Sequence, residues 1–341
     1  MNIAKKIKGK LDGNNFLLMI TILLFFVLYL AGIVAFHDKG FNKPQVFLNL
    51  FISNAGLLIA AAGMTMVLIT GGIDISIGSV IGMTCMLLAW MMEKKGMSAG
   101  VSIIIVLIVG TIFGLVQGFL VAYLKIQPFI VTLAGMFFAR GMTAIISKDM
   151  ISITNETFLK MAGTKINFNF ITTYNKKGVA THPYIYVSVL IAIVVLAIVF
   201  LFLKFTKSGR SIYAVGGNEQ SALLMGLNVR RIKLRVYVMN GFLAALAGFV
   251  FCLNSCGGFV EQARGFEMEA IASSVIGGTL LTGGVGNVIG SLFGVLIKGT
   301  IESIITFQGT LSSWWTKIAI AALLCFFIVM QSVFAAVKKK K

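Results

Sequence analysis

Apolar runs about as long as a membrane-spanning helix follow one another along most of the chain. A helix needs about 20 apolar residues to cross the hydrocarbon core of a bilayer. The runs that reach or approach this length lie near residues 16–36, 46–70, 76–92, 99–124, 127–147, 184–204, 236–256, 267–282, 284–306 and 314–335. The pattern predicts an all-α, polytopic membrane protein with about ten transmembrane helices.

Two polar segments, about 148–183 and about 205–235, interrupt the apolar pattern. Neither of them separates the chain into parts, so we expect residues 1–341 to form a single transmembrane domain. Segment 148–183 could cap the mouth of the bundle, contact an external partner or simply connect two spans, and the sequence favours none of these.

Composition supports a lipid environment, because 58% of the residues are hydrophobic, only 12% are charged and the mean hydropathy is +0.97. The net charge of +18 resides mainly in Lys5–Lys10, in segment 204–235 and in Lys338–Lys341. No basic stripe is interleaved with aromatic residues, which argues against nucleic-acid binding. Basic segments stay on the cytoplasmic side of a membrane. An even number of spans then places both termini and loop 205–235 in the cytoplasm and segment 148–183 outside.

The segment Gly216–Gly226 is a short amphipathic stretch between the basic clusters of loop 205–235. Long apolar runs anchor it on both sides. We therefore expect a small cytoplasmic helix that docks on a soluble partner.

Glycine-rich segments recur in the two halves of the chain. Thr70–Gly82 aligns with Thr282–Gly294, sharing the Thr, both following Gly, an Ile, a Gly, a Ser and the final Gly. Transporters built from internal repeats show such pairs, and glycines four residues apart also let helices pack closely. Both explanations stay open. The two copies run in the same direction, which an inverted repeat would not predict.

Acidic residues accompany two of the predicted spans. Asp74 follows a Gly-Gly break and precedes Ser76, so it could cap the next helix, line a translocation path or lie in a surface loop. Glu267 and Glu269 begin the span 267–282, where negative charge suits a helix N-terminus.

Several other residues are candidates for a translocation path. Arg140 lies inside a span, where an arginine normally faces the bundle interior with a partner, although snorkelling to the surface is the alternative. Lys298 and Glu302 are four residues apart and could either neutralise each other or form a polar patch that faces the cargo. Trp314 and Trp315 suit an aromatic-belt anchor or stacking on a ring of the cargo.

Signatures of catalysis are missing from the sequence. It contains no phosphate-binding loop, no His-Glu-x-x-His run and no Gly-x-Ser-x-Gly elbow. Cys85, Cys252, Cys256 and Cys325 fall in or beside apolar runs and suit packing. We therefore expect a protein that is not an enzyme and holds no metal or cofactor.

Two motifs resemble those of a known family. Thr70–Gly82 resembles the Gly-Gly-Ile-Asp-Leu-Ser-Val-Gly-Ser signature of the ribose-type ABC sugar-importer permeases, and Tyr213–Asn218 with Met225-Gly226 resembles their cytoplasmic coupling segment. The likeness covers about residues 45–331. Within the family, Leu133–Gly141 and Phe307–Lys317 are similar to galactofuranose permeases.

The resemblance implies a membrane channel of two permease chains, either two copies or one with a sister permease. Two ATP-binding subunits would dock on the coupling helices, and an extracellular binding protein would deliver the sugar. The coupling residues implied in this chain are Gly217, Asn218, Glu219, Gln220, Ala222, Leu223, Met225 and Gly226.

One position departs from the usual coupling motif. ABC importers often carry Glu-Ala-Ala-x-x-x-Gly, whereas this chain has Gln220-Ser221-Ala222 followed by Gly226. An amide cannot supply the salt bridge that the leading acid could make. We therefore expect apolar contacts from Leu223, Leu224 and Met225 to matter more.

The resulting functional hypothesis is the permease subunit of an ATP-driven sugar importer, with a furanose such as galactofuranose as cargo. Ribose, xylose or another monosaccharide is the alternative cargo. An ion-coupled secondary transporter would need paired intramembrane carboxylates, which are scarce beyond Asp74 and Glu302. A membrane enzyme would need the catalytic signatures that the sequence does not contain.

Overall fold

The computed structural model describes residues 13–169, 172–174, 180–312 and 314–339. The expected cytoplasmic position of the termini rests partly on the N-terminal lysines and on Lys340–Lys341. These lysines lie outside the described residues. The helices in the described part are α1 (Gly13–Ala35), α2 (Pro44–Ile69), α3 (Ile77–Glu93), α4 (Ala99–Ala122), α5 (Pro128–Ile146), α6 (Glu156–Gly163), α7 (Val187–Phe205), α8 (Lys207–Gly217), α9 (Glu219–Leu224), α10 (Val229–Ser255), α11 (Phe266–Ile276), α12 (Val288–Gln308) and α13 (Trp314–Lys339).

Eight helices of the described chain, α1, α2, α4, α5, α7, α10, α12 and α13, are long and apolar enough to cross a membrane. The all-α, polytopic class is therefore confirmed. Helix α3 has 17 residues and α11 only 11. At about 1.5 Å per residue, α11 covers about half of the hydrocarbon core. The predicted span 267–282 is thus wrong as a continuous helix, because the chain leaves the helix at Gly277-Gly278 and Gly278 has φ +91°.

One end of the bundle carries a small folded cap, which we call the cap end, built from the described residues 147–169, 172–174 and 180–186 and from residues 256–265. Short antiparallel strands join it: β1 (Ile151–Ser152) with β6 (Gly257–Gly258), β2 (Lys165–Asn167) with β5 (Tyr184–Tyr186), and β3 (Thr173–Tyr174) with β4 (Ala180–Thr181). The Glu93 carboxylate accepts hydrogen bonds from the backbone and hydroxyl of Thr154 and so ties α3 to this cap. The polar segment 148–183 is therefore more than a bare connector.

The opposite end carries α8 and α9, and we call it the basic end after its arginines and lysines in 204–235. The sequence predicts one small helix in the segment Gly216–Gly226. The structure shows two helices, because Asn218 has an extended backbone (φ −162°) that ends α8 and begins α9. The expectation of one coupling helix is corrected in this respect.

Helices α2 and α10 form the centre of the bundle, and residues 54–69 of α2 are buried on every side. Helix α10 packs so closely on α4 that a Cβ at Gly110 would overlap the backbone of Gly241, and a Cβ at Gly114 would overlap that of Tyr237. Glycine at these two positions of α4 therefore permits the close packing. Peripheral helices such as α4 and α7 keep exposed apolar faces that suit contact with lipid.

Candidate functional site

Helix α9 presents an apolar tip at the basic end. Leu223, Leu224 and Met225 are 58%, 90% and 67% exposed, respectively. On the other side of the helix, Ala222 is completely buried and packs in a small cluster with Val215 of α8. One side of this short element therefore fixes it to the protein while the other protrudes.

Both ends of α9 are held in place. The Asn218 side chain accepts a hydrogen bond from the Ser221 backbone N–H at 2.8 Å, which caps the helix. Gly226 follows the helix with φ +79°, a conformation that glycine adopts without strain. The Lys233 ammonium of α10 lies 2.6 Å from the Glu219 carboxylate. The predicted coupling residues thus form one compact feature.

A groove of about 740 Å³ lies beside α9. Its walls come from the end of α4, the start of α5, α9 and the start of α10. Leu223 and Gly226 line it, and Gly217 and Gln220 are exposed nearby in a shallower depression. The protruding tip and the groove together could receive a protein partner.

Helix α8 touches the rest of the bundle through Gly216. A Cβ atom at this position would overlap the carbonyl oxygen of Ile69 and the backbone of Gly284. The Gly284 N–H donates a hydrogen bond to Ile69 O at 2.8 Å, and the Tyr213 hydroxyl donates one to Gly286 O at 3.0 Å. Helix α8, which carries α9, therefore contacts the non-helical segments 70–76 and 277–287 or the residues next to them.

Those two segments are the Thr-Gly-Gly copies predicted from the sequence, and they contact each other. Gly71, Gly283 and Gly284 all have positive φ, and a Cβ at Gly283 would lie 2.9 Å from Gly71 N. In the first copy, α2 runs from the cap end to the glycine turn and α3 returns to the cap end. In the second copy, α11 and α12 have the same arrangement. The close approach of the turns gives the shared glycines a packing role.

Asp74 lies in the non-helical stretch between α2 and α3, buried in a polar network. Its carboxylate accepts hydrogen bonds from the Ser76 backbone and hydroxyl at 2.8 and 2.6 Å, and from the Asn240 amide at 2.6 Å. Gln117 donates to the Ser76 hydroxyl at 2.9 Å. Both Asp74 and Ser76 are almost fully buried in this conformation. Asn240 and Gln117 are not among the candidates predicted from the sequence, although amides inside apolar helices were a usable signal.

Arg140 on α5 binds backbone carbonyls rather than a carboxylate. Its guanidinium donates hydrogen bonds to Val260 O at 3.0 Å and Gln262 O at 2.7 Å. These carbonyls belong to the irregular stretch between α10 and α11, so Arg140 satisfies backbone groups that no helix pairs.

Lys298 on α12 is the centre of a buried charge cluster. Its ammonium lies 2.8 Å from the Glu302 carboxylate, 3.3 Å from that of Glu269 on α11 and 3.2 Å from the Asn54 side-chain oxygen on α2. The predicted pair with Glu302 is present, and the sequence did not reveal the other two partners. The cluster joins three helices.

A polar groove of about 410 Å³ opens beside this cluster toward the cap end. Its polar lining residues come from α2, α12 and α13: Asn49, Ser53, Asn54, Glu302, Ser303, Thr306 and Thr316. Trp314 and Trp315 begin α13 close to Thr316 and are 70% and 50% exposed. Side chains that can donate and accept hydrogen bonds thus surround a space large enough for a small polar molecule.

Comparisons with known proteins identify the family of the chain. The family model described as "Branched-chain amino acid transport system / permease component" matches residues 46–328. The chain is 43% identical to the Inner membrane ABC transporter permease protein YjfF of Escherichia coli K12, over 93% of this chain and 92% of that protein. It is 34% identical to the Fructose import permease protein FruG of Bifidobacterium longum, over 98% and 97%, and to the Ribose import permease protein RbsC of Haemophilus influenzae, over 92% and 93%. No solved structure gives a significant match.

Proposed function

This chain belongs to the family of branched-chain amino acid transport system / permease components, and we propose that it imports a sugar with energy from ATP. We further propose that the sugar is a furanose. The chain is an ABC sugar permease of the ribose, fructose and autoinducer type. Galactofuranose is the proposed cargo, supported by the likeness of residues 133–141 and 307–317 to galactofuranose permeases. Ribose or xylose is the alternative cargo.

The basic end faces the cytoplasm of an inner membrane in this proposal, because positive charge is retained on that side. Both termini then lie in the cytoplasm as well. An ATP-binding subunit docks on α9, a sugar-binding protein docks at the cap end, and a second permease chain completes the channel. This chain itself is the permease and leaves ATP hydrolysis to its partner.

The observation that carries the proposal is the position of α9, exposed at its tip and connected through Gly216 to two interrupted spans. A force on the tip reaches residues 70–76 and 277–287 without passing through a flexible linker, because α8 contacts both segments. The two states of an ATPase can drive transport only if they bind this tip differently. Such differential binding would open the path alternately to each side.

Leu224→Asp tests the docking surface. The side chain is 90% exposed, so the change leaves permease folding intact while it places a charge where an apolar contact with the ATPase forms. We expect at least tenfold weaker association with the ATPase and a parallel loss of uptake, measured by co-purification and by uptake into proteoliposomes.

Met150→Asp is the matched control, since Met150 is 61% exposed at the cap end. Its association with the ATPase should equal that of the unchanged protein. Equal association of Leu224→Asp would remove α9 from the docking surface, and uptake that persists without ATP would favour an ion-coupled transporter.

The cap-end groove beside Lys298 is the proposed entrance of the sugar path, with Glu302 accepting hydrogen bonds from sugar hydroxyls and Trp314 and Trp315 at its rim. Asp74 and Ser76 remain candidate path residues and are sealed here, so their contact with sugar requires the opening that alternating access supplies. Arg140 is likewise a candidate, reachable once the 260–262 backbone moves.

Glu302→Gln tests this path. Replacing the carboxylate by its neutral isostere removes a charged hydrogen bond worth about 1.4 kcal/mol, equal to about tenfold in rate. We expect sugar uptake to fall about tenfold while ATPase association is unchanged. Glu156→Gln, which alters an exposed glutamate of α6 outside the groove, should leave uptake unaltered. Equal uptake by the two variants would exclude Glu302 from the path.

A further inference from the structure

A second groove at the basic end has no place in the proposed transport cycle. It measures about 550 Å³ and lies between the end of α7, α8 and the start of α10. The residues that line it are Phe202, Lys207, Ser208, Ser211, Ile212, Ile232, Leu234, Arg235, Val238 and Met239. It is separate from the groove beside α9, with which it shares no lining residue.

The chemistry of this groove is divided between a charged rim and an apolar floor. Lys207 and Arg235 are the charged lining residues, both exposed, and the hydroxyls of Ser208 and Ser211 lie between the same helices. No carboxylate lines the groove, and neither cation forms an ion pair with any residue the structure describes. The rim therefore offers two uncompensated positive charges and the Ser208 hydroxyl, whereas the Ser211 hydroxyl donates to Lys207 O at 2.9 Å.

The start of α8 adds little to this positive field. Lys207 is the first residue of α8, but a Cβ at Gly209 in its first turn would overlap the carbonyl oxygens of Phe202 and Leu203 at the end of α7. The negative end of α7 therefore lies beside the positive end of α8 and offsets it. The two side-chain charges, and not the helix terminus, suit a phosphate group.

The floor and its surroundings suit acyl chains. On α7, Ile198 lies one turn before the lining residue Phe202 and Leu201 is adjacent to it, and both side chains are exposed. On α10, Phe242 lies one turn after the lining residue Val238, and its side chain is also exposed. These apolar surfaces continue the groove toward the middle of the membrane. The rim lies at the ends of the spanning helices, where lipid head groups lie.

We propose that this groove binds an anionic phospholipid, with the phosphate group between Lys207 and Arg235 and the acyl chains along α7 and α10. The proposal depends on charge complementarity and on an apolar path beneath the charges. It is independent of which sugar is transported and of the ATPase.

The test measures thermal unfolding of the purified full-length chain in detergent while phosphatidylglycerol or phosphatidylcholine is added. For the unchanged protein we expect phosphatidylglycerol to raise the midpoint temperature clearly more than phosphatidylcholine does. The double variant Lys207→Gln/Arg235→Gln should bind phosphatidylglycerol at least tenfold more weakly, because each cation contributes to attraction of an anionic lipid.

The matched control is Arg210→Gln/Arg231→Gln, which removes the same charge from exposed positions at the same end but outside the groove. This control should retain the phosphatidylglycerol response. Equal weakening in both double variants would show non-specific attraction and overturn the proposal. Equal stabilisation by inorganic phosphate alone would also overturn it, because the acyl chains would then contribute nothing.

Discussion

Replacing Gly216 with alanine is expected to destabilise the protein by about 3 kcal/mol and to abolish uptake, the largest effect among small substitutions at the basic end. The new methyl group would overlap the Ile69 carbonyl oxygen and the Gly284 backbone. Neither can yield easily, because a hydrogen bond joins them to each other. The backbone of α8 must therefore move away from both glycine turns, which breaks the connection between α9 and the interrupted spans.

Gly217→Ala is the matched control, since no atom lies within 4 Å of a Cβ placed there. Alanine favours a helix over glycine by up to about 1 kcal/mol, so the control should be at least as stable as the unchanged chain. Thermal unfolding of the purified protein and sugar uptake measure the two consequences separately. If the two variants unfold at the same temperature, the contact between α8 and the glycine turns is not tight and the proposed route of force fails.

The spans were predictable because lipid imposes a minimum apolar length on any helix that crosses it. Helix α11 was not, because apolar residues continue from Ala270 to Leu281 on both sides of the break, and hydropathy does not register where the backbone leaves the helix. The signal was Gly277-Gly278, the second of which takes up a positive φ. A non-helical stretch at this depth is tolerated because protein, and not lipid, surrounds it.

At the functional site, features that depend on residues close together in the sequence were predictable, and contacts between distant residues were not. The exposed tip of α9 followed from local features, namely an amphipathic stretch between basic clusters. The contact of Gly216 with Ile69 and Gly284 joins three distant parts of the chain, which periodicity cannot bring together. Likewise, the Lys298–Glu302 pair follows from helical spacing, whereas Glu269 belongs to another helix.

Lys298→Met is expected to cost about 1–3 kcal/mol of stability, less than the loss of one partner of a fully buried ion pair, because the Glu302 side chain is 40% exposed. The Lys298 side chain is only 9% exposed and holds two carboxylates and the Asn54 oxygen. Methionine has a similar length and no charge, so packing is largely kept. Glu269 and Glu302 would then face each other across α11 and α12 without a compensating cation, and each would have to acquire a proton or move into solvent.

Two comparison variants distinguish the effect of unbalanced charge in the cluster from the effect of losing the packing of the Lys298 side chain. Lys148→Met removes an exposed cation at the cap end and should change stability by less than about 0.5 kcal/mol. Adding Glu269→Gln and Glu302→Gln to Lys298→Met removes the uncompensated carboxylates and should restore most of the loss, because a buried ion cluster replaced as a whole is often nearly neutral. Thermal unfolding in detergent ranks the variants. A triple variant no more stable than Lys298→Met would mean that packing of the lysine side chain, and not charge balance, joins α2, α11 and α12.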